Sequence, residues 1–387
     1  MVNKQEASRE RFHFLDGLRG IASLLVVLHH SVSGAIGGGL IKAGYPYLGN
    51  LLIYFTQSGV VLFFVLSGVV LLRPYVRGER TFKTVNYFIR RARRIFPPFL
   101  AALVFGYLVI LLIKYGPTTF YSPIWNWVDT SFPELLRQAL IINHSGIYFN
   151  LAWWSLQIEA IFYILVPAFV FLFSISKQLN YIRVFAVLAG TLVGSYLLQG
   201  FADQYFQHLY SKKYATLNMY RFIDYPLSFV LGVYLARFDF DLWFGRVLCI
   251  AGIGFILFSG NYGPLINSGY SMLYAGIMIF AFKEQWLQRI LDKPIMIWIG
   301  ERSYSLFLIH FSVFYLVDYI CSMIFADRNI YYGIATRSFG ILIAFIMALL
   351  LFHFVERRQA KGLITDKAFW PWQLKKLPFV KDNTIIR

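Results

Sequence analysis

Four residues in the first apolar run have side chains that could do chemistry. Phe14-Leu-Asp-Gly-Leu-Arg-Gly-Ile-Ala-Ser-Leu-Leu-Val-Val-Leu-His-His-Ser31 reads as a membrane helix, yet it carries Asp16, Arg19, His29 and His30. An ionised group at the bilayer centre costs about 2.5 to 3.5 kcal/mol even on the lenient insertion scale, so a stripe of them is expected to face a polar interior. At about 100° per residue, the step from Arg19 to His30 is close to three turns. That puts the two side chains within roughly 20° of each other and about 16 Å apart along the axis, with Asp16 on the same stripe. His29 lies about 80° away, so His30 is the imidazole expected to work with the arginine. Near neutral pH an imidazole can take the proton of an attacking hydroxyl, or accept a transferred group itself. The structural alternative has Asp16 capping the helix, Arg19 reaching the cytosolic headgroups and the histidines at the outer interface.

Further polar residues are set in apolar sequence. Trp153-Trp-Ser-Leu-Gln-Ile-Glu-Ala-Ile-Phe-Tyr163 places Ser155, Glu159, Phe162 and Tyr163 at helical spacing, so one face presents a hydroxyl and the Glu159 carboxylate to an interior cavity. Asp16 or Glu159 could orient the imidazole, and Ser67, Ser155 or Tyr163 could stabilise an oxyanion. Glu159 could equally pair with an interior arginine for packing alone. Ile299-Gly-Glu-Arg-Ser-Tyr-Ser-Leu-Phe-Leu-Ile-His310 adds three hydroxyls and another histidine. In Arg90-Arg-Ala-Arg-Arg-Ile-Phe-Pro-Pro98, Arg91 and Arg94 share a helical face and could hold a phosphate-bearing ligand or anionic lipid. Ser67-Gly68 reads as a helix-packing notch that carries a hydroxyl.

The elements that must position these groups are membrane helices. The chain has 387 residues, is 58% hydrophobic and only 14% charged, and has 39 Phe and nine Trp, too apolar for an ordinary soluble domain. Apolar runs near 13–33, 51–72, 97–114, 152–174, 183–199, 219–236, 243–260, 268–283, 303–325 and 333–355 predict an all-α polytopic membrane protein of about ten transmembrane helices. Pro97 and Pro98 are expected to open the third. If both termini are cytosolic, the large majority of lysines and arginines fall on the inside, as the positive-inside rule requires. The net charge of +17 is therefore topological and excludes a nucleic-acid partner. Residues 1–360 read as one transmembrane domain and 361–387 as a short basic cytosolic tail. The first run lacks a cleavage site and stays as helix one. Cys249 and Cys321 make no metal-ligand spacing, so packing is their expected role and no metal is expected. Aromatic residues between Lys114 and Leu151 read as an interfacial belt, with sugar stacking the alternative.

Six motifs in order carry a family resemblance: Leu-Asp-Gly-Leu-Arg-Gly-Ile-Ala with Arg19-x10-His30, Phe63-Phe-Val-Leu-Ser-Gly68, Arg91-x-x-Arg94-Ile-Phe-Pro97, Trp154-Ser-Leu-x-x-Glu159-x-x-Phe-Tyr163, Ser303-Tyr-Ser-Leu-Phe-Leu-x-His310 and Phe354-Val-Glu-Arg357. The sequence from residue 12 to residue 357 resembles the acyltransferase family 3 membrane proteins. The resemblance implies a plasma (inner) membrane enzyme that moves an acyl group, usually acetyl from cytosolic acetyl-CoA, to a hydroxyl of a cell-surface or exported glycan. It makes His30 the catalytic base or acyl relay, Arg19 its partner, Arg91 and Arg94 the contacts for the donor's phosphates and Glu159 a site carboxylate; beside these, Asp16 is read as a further catalytic residue and Ser67 as a further donor contact. Val69, Ala160-Ile161 and Arg358 depart from the usual pattern and bear on substrate detail. The short tail implies a stand-alone version without a fused hydrolase domain. The rival reading is a proton-coupled transporter using the same intramembrane Asp, Arg, His and Glu; no internal repeat accompanies it.

Overall fold

The computed structural model describes residues 12–117, 128–141, 149–175, 180–210, 225–259, 263–325 and 330–357. Within these, every regular element is a helix. Helix α1 (His13–Leu28) passes into a π-helical turn at His29–Ser33 and on into α2 (Gly34–Lys42). There follow α3 (Pro46–Gln57), α4 (Gly59–Val76), α5 (Thr84–Tyr115), α6 (Phe132–Ala139), α7 (Trp154–Ile175), α8 (Tyr181–Tyr210), α9 (Pro226–Arg237), α10 (Leu242–Phe258), α11 (Gly263–Lys283), α12 (Gln285–Leu291), α13 (Pro294–Ile324) and α14 (Ile330–Leu351). A second π turn, Phe352–Glu356, ends the last helix.

Seven of the described helical stretches are long and apolar enough to cross a membrane, and an eighth is added if α1 with its π turn and α2, bent by 47°, make one span. Pro226–Arg237 and Leu242–Phe258 are shorter apolar helices. Each of the ten runs expected from the sequence overlaps a described helix, the run near 51–72 passing from α3 into α4 and the run near 219–236 starting outside the described residues. The protein is a multi-pass helical membrane protein.

The start of the third expected helix needs correction. Helix α5 begins at Thr84, well before Pro97 and Pro98, which lie inside it. Its first turns interrupt Val85, Tyr87, Phe88 and Ile89 with Asn86 and the four arginines between Arg90 and Arg94, so no long apolar run marks them and hydropathy sees only the second half. The arginine cluster is thus on a rigid helix. The aromatic belt is also revised: Tyr115 and Phe132 are exposed, whereas Phe149, Trp153 and Trp154 are buried in the core. Phe120, Tyr121, Trp125, Trp127 and Tyr148, like the basic tail 361–387, lie outside the described residues. Cys249 and Cys321 are free and half-buried.

In lipid, apolar surface gives little drive for helices to associate, so small residues and hydrogen bonds set the packing. Helix α1 meets α13 backbone to backbone: a Cβ on Gly20 would stand 2.6 Å from the Met296 carbonyl oxygen, and one on Gly300 would collide with the Asp16 carbonyl. Gly68 does the same for α4 on α9, where a Cβ would stand 2.7 Å from the Phe229 carbonyl oxygen. The level of α13 is fixed from the side, because the Trp153 indole N–H and the Asn150 amide both donate to the Leu308 carbonyl at 3.0 Å.

Candidate active site

Five helices surround one cavity of about 860 Å³, counting its open mouth. Arg19 comes from α1, Phe63 and Ser67 from α4, Arg91 and Arg94 from α5, Ser155, Glu159 and Tyr163 from α7, and Ser303, Tyr304 and Phe307 from α13. The structure therefore brings Arg19, Ser67, Arg91, Arg94 and Glu159 together, though they are scattered through the first half of the sequence. Ser67 and Gly68 divide the two readings of their notch: the serine lines the cavity and the glycine packs on α9.

Within the cavity the charges are ordered by rings and hydroxyls. The Tyr163 hydroxyl donates to the Glu159 carboxylate. Arg91 lies over the Tyr87 ring at 5.7 Å and the Tyr163 ring at 5.9 Å. The Tyr304 hydroxyl donates to the Ile95 carbonyl at 3.1 Å, tying α13 to α5 beside Arg94. Glu356 accepts from the Ser305 hydroxyl at 2.6 Å and stands in the field of Arg94 and Arg19. Arg19, Arg91 and Arg94 outnumber Glu159 on the walls, so an anionic ligand matches the cavity better than a neutral one.

His30 and Asp16 are not among the lining residues. Asp16 shares the helical stripe but lies fourteen residues from His30, about 21 Å down the axis. Too distant to orient the imidazole, it belongs to the end of α1 packed against Gly300. The partner of His30 is instead another histidine: His30 Nδ1 lies 3.0 Å from His310 Nε2. His310 Nδ1 lies 3.0 Å from the Leu306 carbonyl, which can only accept, so the proton of a neutral His310 sits on Nδ1 and its Nε2 accepts from His30. That leaves His30 Nε2 with a free lone pair. His29 turns the other way and meets the Thr56 hydroxyl at 3.2 Å. The histidine pair adjoins the cavity through Phe307, whose ring lines it and stands 6.1 Å from the His310 ring.

Sequence reasoning did not find the His310 partnership or the place of Ser303. Both cross between helices or depend on depth, which periodicity within one helix does not encode; the Tyr163–Glu159 bond, by contrast, joins two residues on the face of α7 that the spacing picks out. Among the described residues no His, Cys, Asp or Glu cluster is suited to a metal ion.

Fold and site together define a multi-pass helical membrane protein with a basic interior cavity that adjoins a pair of hydrogen-bonded histidines. A family profile described as acyltransferase domain matches residues 12–357, and the chain belongs to that family. Peptidoglycan O-acetyltransferase OatA of Listeria monocytogenes is 26% identical over 413 residues, covering 95% of this chain and 60% of the relative. A candidate peptidoglycan O-acetyltransferase of Bacillus subtilis, YrhL, is 24% identical over 377 residues, covering 89% of this chain and 54% of the relative. The chain thus spans a little over half the length of these relatives. No solved structure is significantly similar to it.

Proposed function

We propose that this chain is a membrane O-acetyltransferase that takes acetyl from acetyl-CoA on the cytosolic side and passes it to a hydroxyl of a cell-surface or exported glycan, peptidoglycan being the class named for its relatives. The observation that carries the reading is the cavity itself, lined by Arg19, Arg91 and Arg94 and by Phe307, whose ring stands 6.1 Å from that of His310. The topology adopted is ten spans with both termini in the cytosol, in a bacterial plasma membrane.

In this reading Arg91 and Arg94 hold the nucleotide phosphates through charge-assisted hydrogen bonds, and the thin pantetheine arm runs up the cavity past Ser67. Arg19 stabilises negative charge midway, and Glu159, held by Tyr163, balances the arginines. The thioester then meets His30. The acceptor oxygen bonds to the acetyl carbon as the carbon–sulfur bond breaks. His30 Nε2 takes the hydroxyl proton and returns it to the thiolate, so CoA leaves as the thiol. Such proton transfer is worth typically about 10² to 10⁴ in rate. In the two-step version the same nitrogen carries the acetyl group between donor and acceptor.

The test is transfer in proteoliposomes given radiolabelled acetyl-CoA on the arginine-rich side, with soluble glycan acceptor on the other. Wild type and His29→Ala should turn over. His30→Ala and the Arg91→Ala, Arg94→Ala double variant should not. Proton-coupled movement of solute without thioester cleavage would instead establish the transporter reading, and retention of label on the chain without acceptor would establish the two-step route.

A further inference from the structure

The geometry points to an acyl-length filter at the inner end of the cavity: Phe63 and Phe307 restrict the donor to acetyl, and the Ser303 hydroxyl anchors the donor's carbonyl just below them. This rests on the acyl-CoA reading above and adds a subsite to it.

Phe63 on α4 and Phe307 on α13 both line the cavity. Their rings meet edge to face with centroids 6.3 Å apart, at the contact distance of an aromatic pair, so no channel runs between them at rest. Beyond them lie His310, whose ring is 6.1 Å from that of Phe307, and His30, bonded to His310. A thioester carbon approaching His30 from the arginines must displace one ring edge. A methyl group asks for a small rotation, whereas each further methylene needs more room in a packed wall. One methylene in an apolar site is worth about 10- to 200-fold in discrimination.

Ser303 supplies an independent observation. It is fully buried, lines the cavity one helical turn before Phe307, and its hydroxyl oxygen has no hydrogen-bond partner. Buried hydroxyls are ordinarily paired, commonly in a helix to the carbonyl one turn back, so an unpartnered one on a residue that lines a cavity calls for an acceptor on a ligand. A thioester donor has such acceptors at this level, in the thioester carbonyl and the nearest amide carbonyl of its arm.

The experiment measures CoA release with acetyl-, propionyl- and butyryl-CoA for purified full-length chain in proteoliposomes, comparing wild type with Phe307→Ala, Phe307→Leu, Phe63→Leu and Ser303→Ala. The filter predicts that opening either phenylalanine raises the butyryl-to-acetyl ratio of kcat/KM at least tenfold. Ser303→Ala should raise the KM for acetyl-CoA several-fold and leave that ratio unchanged. The leucine variants keep most of the apolar volume and report the ratio even if Phe307→Ala fails to fold. Acetyl-CoA turnover with a ratio within twofold of wild type in all phenylalanine variants overturns the filter and leaves the donor reading standing. Wild type that cleaves none of the three donors overturns both.

Discussion

His30 and His310, far apart in the sequence, face each other with Nδ1 and Nε2 3.0 Å apart, and the second ring is fixed by the Leu306 carbonyl. The chain of donors runs from His30 to His310 to backbone, which selects the tautomer that leaves His30 Nε2 unprotonated. A partner that holds one tautomer is a positioning residue, and its loss acts through the imidazole. His310→Ala is therefore expected to lower kcat by about 10²-fold or more with little change in the KM for acetyl-CoA, since His310 is not among the residues that line the cavity. His310→Gln, which can present an amide oxygen to His30, should recover part of the loss. Equal losses in the two variants would make the pairing a matter of packing only.

Arg91 and Arg94 stand on one face of α5 at the basic part of the cavity, and Arg91 is braced by the Tyr87 and Tyr163 rings. If they hold phosphates, their contribution disappears with the phosphates. Replacing both with alanine should raise the KM for acetyl-CoA at least tenfold yet change turnover of S-acetylpantetheine, which has no nucleotide, by less than threefold. Steady-state rates with the two donors check this. A parallel loss with both would place the arginines in a structural role, as lipid anchors or supports of α5.

Much of this arrangement was legible in the sequence because lipid is an unforgiving solvent. Arg19, Arg91, Arg94 and Glu159 stand out as charges beside or within apolar runs, and all four line the one cavity. Helical periodicity within α1 separated His30 from His29, which bond to different neighbours, His310 and Thr56. Depth was harder to read. Asp16 lies on the right stripe at the wrong level, and the arginines that interrupt the first turns of α5 hid its start at Thr84. Contacts between helices were not legible, so His310 appeared only as one more intramembrane histidine and Ser303 only as a hydroxyl beside Tyr304.

The close approach of α1 and α13 sets the level at which His30 meets His310, and glycines permit it. A Cβ at Gly300 would overlap the Asp16 carbonyl, and a larger side chain would drive the helices apart. Gly300→Ala should destabilise the protein by about 1 to 3 kcal/mol, the usual cost of overpacking a tight contact. Gly300→Val should lose activity as the histidines separate. Thermal unfolding in detergent, run beside the turnover assay, checks both. A Gly190→Ala control, with open space where its Cβ would lie, should change neither.

Outside the membrane-spanning segments, Arg77 joins the end of α4 to the residues after α9. Its guanidinium donates to both carboxylate oxygens of Asp239 at 2.8 and 2.9 Å and to the Ala236 carbonyl at 2.9 Å. The hydrogen bond from Arg77 holds the Asp239 carboxyl below its ordinary value. A group whose pKa is lowered on folding stabilises the fold above its unfolded pKa, here about 3.9, and loses that contribution as pH falls through the lowered value. Asp239 is 67% exposed, so the pair is screened and worth less than about 1 kcal/mol. Asp239→Asn should therefore lower thermal stability slightly at pH 7, and the gap to wild type should close as the pH falls past the unfolded value and through the lowered one. A gap that widens on acidification would mean that another carboxylate carries the acid sensitivity of this junction.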